Sequence, residues 1–294
     1  MADPADGTLL RLAAFTTDPL GGNPAGVWIG VALPDDADML RIAAEVGYSE
    51  TAFIAPDGSG VDGRYRVRYF SPLAEVPFCG HATIATGVAL GERALAASAS
   101  PDAAAGGIVL ATNGGPVAVS YERTDGHVRA TLTSVATWVR EPGAELLIRA
   151  LELLGWEATE LDPGLPPAIG FAGAKHLILV AREASRLSSL DYPFEALKAL
   201  MLDADLTTLQ LVWREASDRF RARDPFPVGG VVEDPATGAA AAALGAYLRE
   251  QGEIVAPATF EISQGVEMGR PSHLTVSIAP GEEGVRVSGT AVPI

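Results

Sequence analysis

The sequence has one cysteine, four histidines and no run of about 18 uninterrupted apolar residues. A single cysteine cannot close an intrachain disulfide, which agrees with a reducing compartment. The first residues also lack the basic segment and long apolar segment of a targeting signal. We therefore expect a cytoplasmic protein with no membrane association.

Positive charge is scarce. Lys and Arg total 21 against 37 Asp and Glu, which gives a formal net charge of −16. Such a surface repels phosphate backbones, so we expect no nucleic-acid partner. Hydrophobic residues make up 48% of the 294 residues. A chain of this length and composition predicts packed cores in two domains.

Two distant parts of the sequence resemble each other. "RYRVRYFSPLAEVPFCGHATIATG" is echoed by "RFRARDPFPVGGVVEDPATGAAAA". Three alternating arginines match at an offset of 155 residues, and one inserted residue aligns Cys79 with Pro235. The echo predicts a duplication, with one lobe over residues 1–136 and a second over 137–294, the last strand being free to return to the first lobe.

In both halves an arginine-bearing strand leads into an apolar helix. The helix segments "ATIATGVAL" and "AAAAALGAYL" have no polar face, so we expect both helices to be buried. Their small side chains allow antiparallel strands to curl closely around them. The predicted fold class is therefore α+β, with a curved sheet around a central helix in each lobe.

The start of the first helix carries two candidate functional residues. Cys79 comes where a helix begins, so it is a candidate nucleophile or ligand, but a lone cysteine is more often a small buried hydrophobe. His81 falls in the first turn and is either structural or suited to acid–base and substrate-binding work. No Ser, Thr, Asp or Asn stands at the expected cap position, which leaves the helix amides available to a ligand.

Glu50, in "SETAFIA", is a third candidate. It opens a predicted strand in which neither face is polar, so a partly desolvated carboxylate there could transfer protons. A solvated glutamate at a strand start is the alternative.

The second helix start offers Asp234, Pro235, Thr237 and Gly238. Asp234 followed by Pro235 is the order expected of a helix cap and a first-turn proline, and contact with a substrate is the alternative role of Asp234. Gly238 would let a ligand carboxylate approach the backbone closely.

Sequence signatures of metal and cofactor sites are missing. There is no HExxH, no CxxC and no close pair of residues at ligand spacing, so we expect no metal. "GSGVDG" fits GxGxxG, but a predicted strand follows it where a dinucleotide site needs a helix. Without a phosphate-binding loop or GxSxG elbow, we expect no nucleotide cofactor.

Five segments, in order along the chain, resemble the PhzF-like family of phenazine-biosynthesis isomerases. They are "GGNPAGV", "GYSETAFI", "FSPLAEVPFCGHATIA", "EDPATGAAAAALGAYL" and "GRPSHLTV". The resemblance implies the diaminopimelate epimerase fold, with two pseudo-symmetric lobes and the active site between them. It also implies a homodimer that acts on a small carboxylate without a cofactor.

The resemblance assigns roles to most of these candidates. Glu50 matches the general acid/base of the family. His81 and Asp234 match residues that position the substrate, joined by Ser49, Cys79 and the helix-start residues Gly80, Thr237 and Gly238. In the related epimerases two cysteines face each other; Cys79 fits the first place, but Pro235 or Asp234 stands at the second. A two-thiol mechanism is therefore excluded, and we expect Cys79 to line the site without catalysing.

The expected function is cofactor-independent isomerisation, in which Glu50 takes a proton from one carbon and returns it to another. The substrate in the phenazine pathway is trans-2,3-dihydro-3-hydroxyanthranilate. One alternative is an epimerase or racemase of an amino-acid-like acid, with Glu50 opposed to Cys79 or His81. Another is a cleft that binds a small carboxylate without converting it.

Overall fold

The computed structural model describes residues 7–98 and 104–294. The spatial contacts between residues divide it into two compact units. The first contains the described residues up to Thr133 together with Ser288–Ile294, and the second is Ser134–Val287. The boundary thus falls three residues before the one placed from the sequence.

The described residues of the first unit form eight strands and two helices before the final strand. Their bounds are β1 Thr8–Ala14, β2 Asn23–Ile29, α1 Asp36–Val46, β3 Glu50–Pro56, β4 Arg64–Phe70, β5 Glu75–Val76, α2 Gly80–Ala97, β6 Ala105–Thr112, β7 Gly115–Thr124 and β8 His127–Thr133. β1 pairs antiparallel with β2, β2 parallel with β3, β3 antiparallel with β4, and β4 parallel with β6. β6, β7 and β8 continue as antiparallel neighbours.

Local sequence explains where several of these elements end. The side chain of Asp35 accepts a hydrogen bond from the Asp38 amide at the start of α1, and Gly47 ends that helix in the left-handed conformation. The turn between β7 and β8 places both Asp125 and Gly126 at positive φ, as a two-residue hairpin requires.

Helix α2 is the core of the first unit. Every residue from His81 to Gly91 is buried, as the absence of a polar face predicts. A Cβ atom added at Gly87 would lie 2.7 Å from Val119 and 2.8 Å from Ala130. The small residues of α2 are therefore what lets β7 and β8 pack directly on the helix.

The second unit repeats this arrangement. Its elements are β9 Trp138–Arg140, α3 Ala144–Leu154, β10 Ala168–Phe171, β11 Lys175–Ala181, α4 Phe194–Asp203, β12 Thr208–Ala216, β13 Arg219–Pro225, β14 Glu233–Asp234, α5 Gly238–Glu250, β15 Ala258–Gln264 and β16 Ser272–Ile278. β17 follows at Arg286–Pro293 and spans the boundary between the units. α5 is buried along most of its length, and a leucine-rich core packs α3 and α4 against the outer face of the sheet.

Strand pairing confirms the predicted duplication. β10 pairs antiparallel with β11, β11 parallel with β12, β12 antiparallel with β13, and β13 parallel with β15, as in the series from β1 to β6. The short strands β5 and β14 each pair back onto the preceding arginine strand.

The alignment of the two helix starts, however, is wrong in the sequence-based comparison. α2 begins after Cys79, whereas α5 begins after Thr237, so the residue equivalent to Cys79 is Thr237 and not Pro235. The loop between β13 and β14 is three residues longer than its counterpart, because it contains an additional helical turn at Pro227–Gly229. Within the described residues no helix is long and apolar enough to cross a membrane.

Candidate functional site

Glu50 is the first residue of β3 and follows the turn that ends α1. The parallel pairing of β3 with β2 places Glu50 opposite Ala25. Its side chain is 16% exposed, so it is accessible to a small molecule but largely removed from bulk water. Ser49, immediately before it, is half-buried.

Cys79 and His81 come from the N-terminus of α2. Cys79 is the N-cap residue and makes no side-chain capping bond, while Gly80 and His81 begin the first turn. Both Cys79 and His81 are buried. The first-turn amides of α2 therefore receive no help from the cap side chain, and the positive end of the helix is suited to an anion.

Glu50, Cys79 and His81 form one cluster. The Cys79 thiol donates a hydrogen bond to Glu50 Oε2 at 3.5 Å, and Sγ lies 3.4 Å from Nδ1 of His81. His81 Nε2 lies 3.4 Å from Glu50 Oε2 and 3.4 Å from Ser49 Oγ. The cluster thus combines a carboxylate that can exchange a proton with an imidazole and a thiol that contact it from the same helix start.

The sequence identified these residues one at a time, and the fold brings all of them together. Each carries an atom of a type that ligates metals, and these three atoms lie within 4.8 Å of one another. A search for ligands that are close in sequence cannot find this group, because Glu50 and Cys79 are 29 positions apart and the start of β3 and the start of α2 bring them into contact.

In the second unit, Asp234, Thr237 and Gly238 lie around the start of α5. Thr237 is the N-cap residue and donates from Oγ1 to Asp234 Oδ2 at 2.6 Å. The interpretation of Asp234 as the cap and Pro235 as a first-turn residue is therefore wrong. Asp234 belongs to β14, three residues before the cap, because it pairs with Asp224 on β13.

Gln264 is a member of this second cluster that sequence reasoning missed. Its side-chain oxygen accepts the Thr237 amide at 3.2 Å, and its nitrogen donates to the Asp234 carbonyl at 2.8 Å and to Thr237 Oγ1 at 3.0 Å. This one buried amide fixes the loop between β14 and α5. No local pattern signals it, because it lies on β15, beyond the helix.

A second missed group lies behind Asp234. Asp224 is fully buried, and its Oδ1 accepts from Thr208 Oγ1 at 3.1 Å, while Thr208 Oγ1 lies 2.8 Å from His176 Nδ1. Asp224 Oδ2, His176 Nε2 and both side-chain atoms of Gln210 have no hydrogen-bond partner among the described residues.

Burial dominates the protonation of this group. It raises the pKa of Asp224 well above its ordinary value, and the neighbouring charge of Asp234 raises that pKa further. Burial also lowers the pKa of His176 to about 3. His176 is therefore neutral at neutral pH, and Asp224 keeps its proton to a higher pH than an exposed carboxyl does.

Each unit also holds an ion pair between its arginine strand and its short strand. Arg68 binds Glu75 through two nitrogens at 2.7 and 2.6 Å, and Arg223 binds Glu233 at 3.0 and 2.5 Å. The second pair is the more buried, with side-chain exposures of 10% and 3% against 17% and 27%. These pairs hold the loops that lead to the two helix starts.

Comparison with known proteins finds relatives along nearly the whole chain. The family described as phenazine biosynthesis-like protein, PhzC-PhzF, matches residues 12–294. A trans-2,3-dihydro-3-hydroxyanthranilate isomerase from Pseudomonas aeruginosa is 33% identical over 264 residues, which cover 89% of this chain and 86% of that protein.

Solved structures show the same fold. A PhzF-family phenazine biosynthesis protein from Bacillus anthracis superposes with a TM-score of 0.83 at 24% identity, covering 97% of this chain and 96% of that one. A probable proline racemase from Agrobacterium radiobacter superposes with a TM-score of 0.66 at 14% identity, covering 98% and 91%. The predicted α+β, diaminopimelate epimerase-like fold is thus confirmed.

Proposed function

Because the chain belongs to the phenazine biosynthesis-like PhzC-PhzF family and is an isomerase, we propose that it moves a proton between two carbons of a small carboxylate, with Glu50 as general acid/base. The proposed reaction uses no cofactor. The relative from Pseudomonas aeruginosa makes trans-2,3-dihydro-3-hydroxyanthranilate the first substrate to test.

The contact between Glu50, Cys79 and His81 is the observation that carries this proposal. Inversion at one carbon by two bases needs the groups on opposite faces of that carbon, with room for the carbon between them. Here Cys79 Sγ and His81 Nε2 lie only 3.5 and 3.4 Å from Glu50 Oε2. Neither can oppose Glu50 across a substrate, so this cluster acts from one face.

One group on one face is sufficient for an isomerisation. The Glu50 carboxylate forms an O–H bond as the substrate C–H bond breaks, and the electron pair moves into an adjacent double bond. The protonated Glu50 then gives the same proton to the far carbon of that system, which restores the carboxylate. Effects of this kind contribute about 10²–10⁴-fold to rates.

The other candidates have binding roles in this proposal. His81 and Ser49 hold the carboxylate of Glu50 and the substrate in place. The uncapped helix start at Gly80 binds the substrate carboxylate and stabilises developing negative charge through its amides. Asp234 and Thr237 are fixed to each other by a hydrogen bond, and the substrate-binding role that the resemblance implies for them and for Gly238 stays a prediction.

The test is proton exchange in D₂O followed by NMR. Pure protein is incubated with trans-2,3-dihydro-3-hydroxyanthranilate and, separately, with a panel of amino and hydroxy acids. We expect wild type to convert or exchange at least one of them, and Glu50→Gln to be slower by about 10²-fold or more. Glu45→Gln, which changes an exposed carboxylate of α1, is the matched control and is expected to retain wild-type rates.

Two outcomes would contradict the proposal. Equal rates in wild type and Glu50→Gln would remove Glu50 from the chemistry. Deuterium incorporated with inversion at a single stereocentre would favour an epimerase with a second base outside this cluster. The homodimer implied by the resemblance and the cytoplasmic location expected from the sequence stay predictions, and light scattering of the pure protein checks the first.

A further inference from the structure

The Glu50–Cys79–His81 cluster offers three different kinds of metal-binding atom at one point. The cysteine sulfur, the imidazole Nε2 and the carboxylate Oε2 come from two separate elements, β3 and the start of α2. Cys79 is 7% exposed, and the side chains of His81 and Glu50 are 6% and 16% exposed. The group is thus shielded from bulk water while Glu50 leaves it open to a small ion.

The spacing of these atoms fits one class of ion. Tetrahedral zinc, with a Zn–S bond of about 2.3 Å and Zn–N or Zn–O bonds of about 2.0–2.2 Å, places its ligand atoms about 3.3–3.7 Å apart. Here Sγ lies 3.5 Å from Oε2, Nε2 lies 3.4 Å from Oε2, and Sγ lies 3.8 Å from Nε2. Shifts of a few tenths of an ångström would bring all three distances between ligand atoms to those of a tetrahedral zinc site.

The donor set also selects among metals. Magnesium and calcium prefer sites made only of oxygen, whereas thiolate and imidazole suit zinc. Three protein ligands with a fourth position open are the pattern of an accessible zinc site rather than a closed structural one.

We propose that Glu50, Cys79 and His81 bind one Zn²⁺ ion, and that this ion inhibits the enzyme. Coordination transfers the thiol proton of Cys79 to solvent and occupies the lone pair of Glu50 that the isomerisation needs. The ion is therefore an inhibitor and not a cofactor. Only the inhibition rests on the proposed function of Glu50; the binding site rests on geometry alone.

Cobalt is the direct probe of the site. Metal-free protein, kept reduced, is titrated with Co²⁺ and followed by absorption, because a thiolate bound to tetrahedral Co²⁺ gives a charge-transfer band in the near ultraviolet and strong visible bands. We expect one equivalent to produce these bands and Zn²⁺ to displace it. Zinc affinity is then measured by competition with a chromogenic chelator.

Variants assign the ligands. Cys79→Ser should lose the charge-transfer band, and Glu50→Gln should bind Zn²⁺ more weakly by about tenfold or more, since even outer partners of a metal ligand contribute 10–100-fold to affinity. His273→Gln, an exposed histidine on β16, is the control and should bind as wild type does. Thermal unfolding of each variant shows whether it is folded. If Cys79→Ser does not fold, the zinc affinity of Glu50→Gln still tests the proposal.

The absence of a thiolate–cobalt band in wild type would overturn the proposal, as would equal zinc affinity in wild type and Glu50→Gln. For any substrate whose protons the wild type exchanges with D₂O, Zn²⁺ should stop the exchange and a chelator should restore it. Full activity with zinc bound would refute the inhibition. Zinc binding without turnover of any substrate would instead count against the proposed function and leave the metal site standing.

Discussion

Replacing Asp224 by Asn should make the protein more stable, and increasingly so as pH rises. The side chain is fully buried, with Oδ1 bonded to Thr208 and Oδ2 without a partner in the described chain. Asp234 and Glu233 add negative charge nearby, and Arg223, the residue before Asp224, is bound to Glu233. Asparagine keeps the shape and the acceptor but carries no ionisable proton.

The sign follows from linkage. Burial first, and then the charge of Asp234, raise the pKa of Asp224 above the value near 3.8 that it has when unfolded. Its contribution to stability is thus fully present below that unfolded pKa and is lost as pH rises toward the folded pKa. In this range the folded state binds one more proton, so wild type loses about 1.4 kcal/mol per pH unit that Asp224→Asn does not lose. The variant should therefore gain steadily on wild type as pH rises above the unfolded pKa.

Urea unfolding at several pH values measures this difference. Three of the four tryptophans, Trp138, Trp156 and Trp213, lie in the second unit, so fluorescence reports mainly on the unit that contains Asp224. Asp205→Asn, at an exposed position, should show no pH-dependent gain. Parallel stability curves for wild type and Asp224→Asn would refute the reasoning, because they would mean that Asp224 ionises alike in the folded and unfolded states.

Three further predictions concern stability. Burial lowers the pKa of His176 to about 3, so its contribution to stability is present above the unfolded pKa of 6.5 and is lost as pH falls toward 3. His176→Asn should reduce this loss of stability in acid by up to about 1.4 kcal/mol per pH unit. The same fall in unfolding free energy for wild type and His176→Asn in acid, measured by urea unfolding, would contradict this. Glu233→Gln leaves the charge of buried Arg223 unpaired and should lower the free energy of unfolding by about 3–5 kcal/mol, whereas Glu75→Gln in the more exposed pair should lower it by about 1 kcal/mol. Equal losses for the two variants in urea unfolding would argue against burial as the cause. Gly87→Ala should lower the thermal midpoint by overpacking the sheet at a cost of about 1–3 kcal/mol, and a rise would show that the strands yield.

Most of the fold could be predicted from local pattern. Alternating arginines predicted β4 and β13, and the absence of a polar face predicted buried helices at α2 and α5. These signals work because the side-chain period is a property of a few adjacent residues. The alignment of the repeats failed for the same reason, because nothing local shows that the loop after β13 gained three residues.

The sequence by itself determined the duplication, the fold class and the residue types available for chemistry, since hydrophobic period and helix-start composition are local quantities. It also excluded a pair of opposed cysteines, because there is only Cys79. Only the tertiary structure decided that Glu50, Cys79 and His81 touch, that Thr237 and not Asp234 caps α5, and that Asp224 is sealed behind Asp234. Contacts between distant residues depend on strand pairing and helix packing, and burial of a carboxylate depends on every element around it.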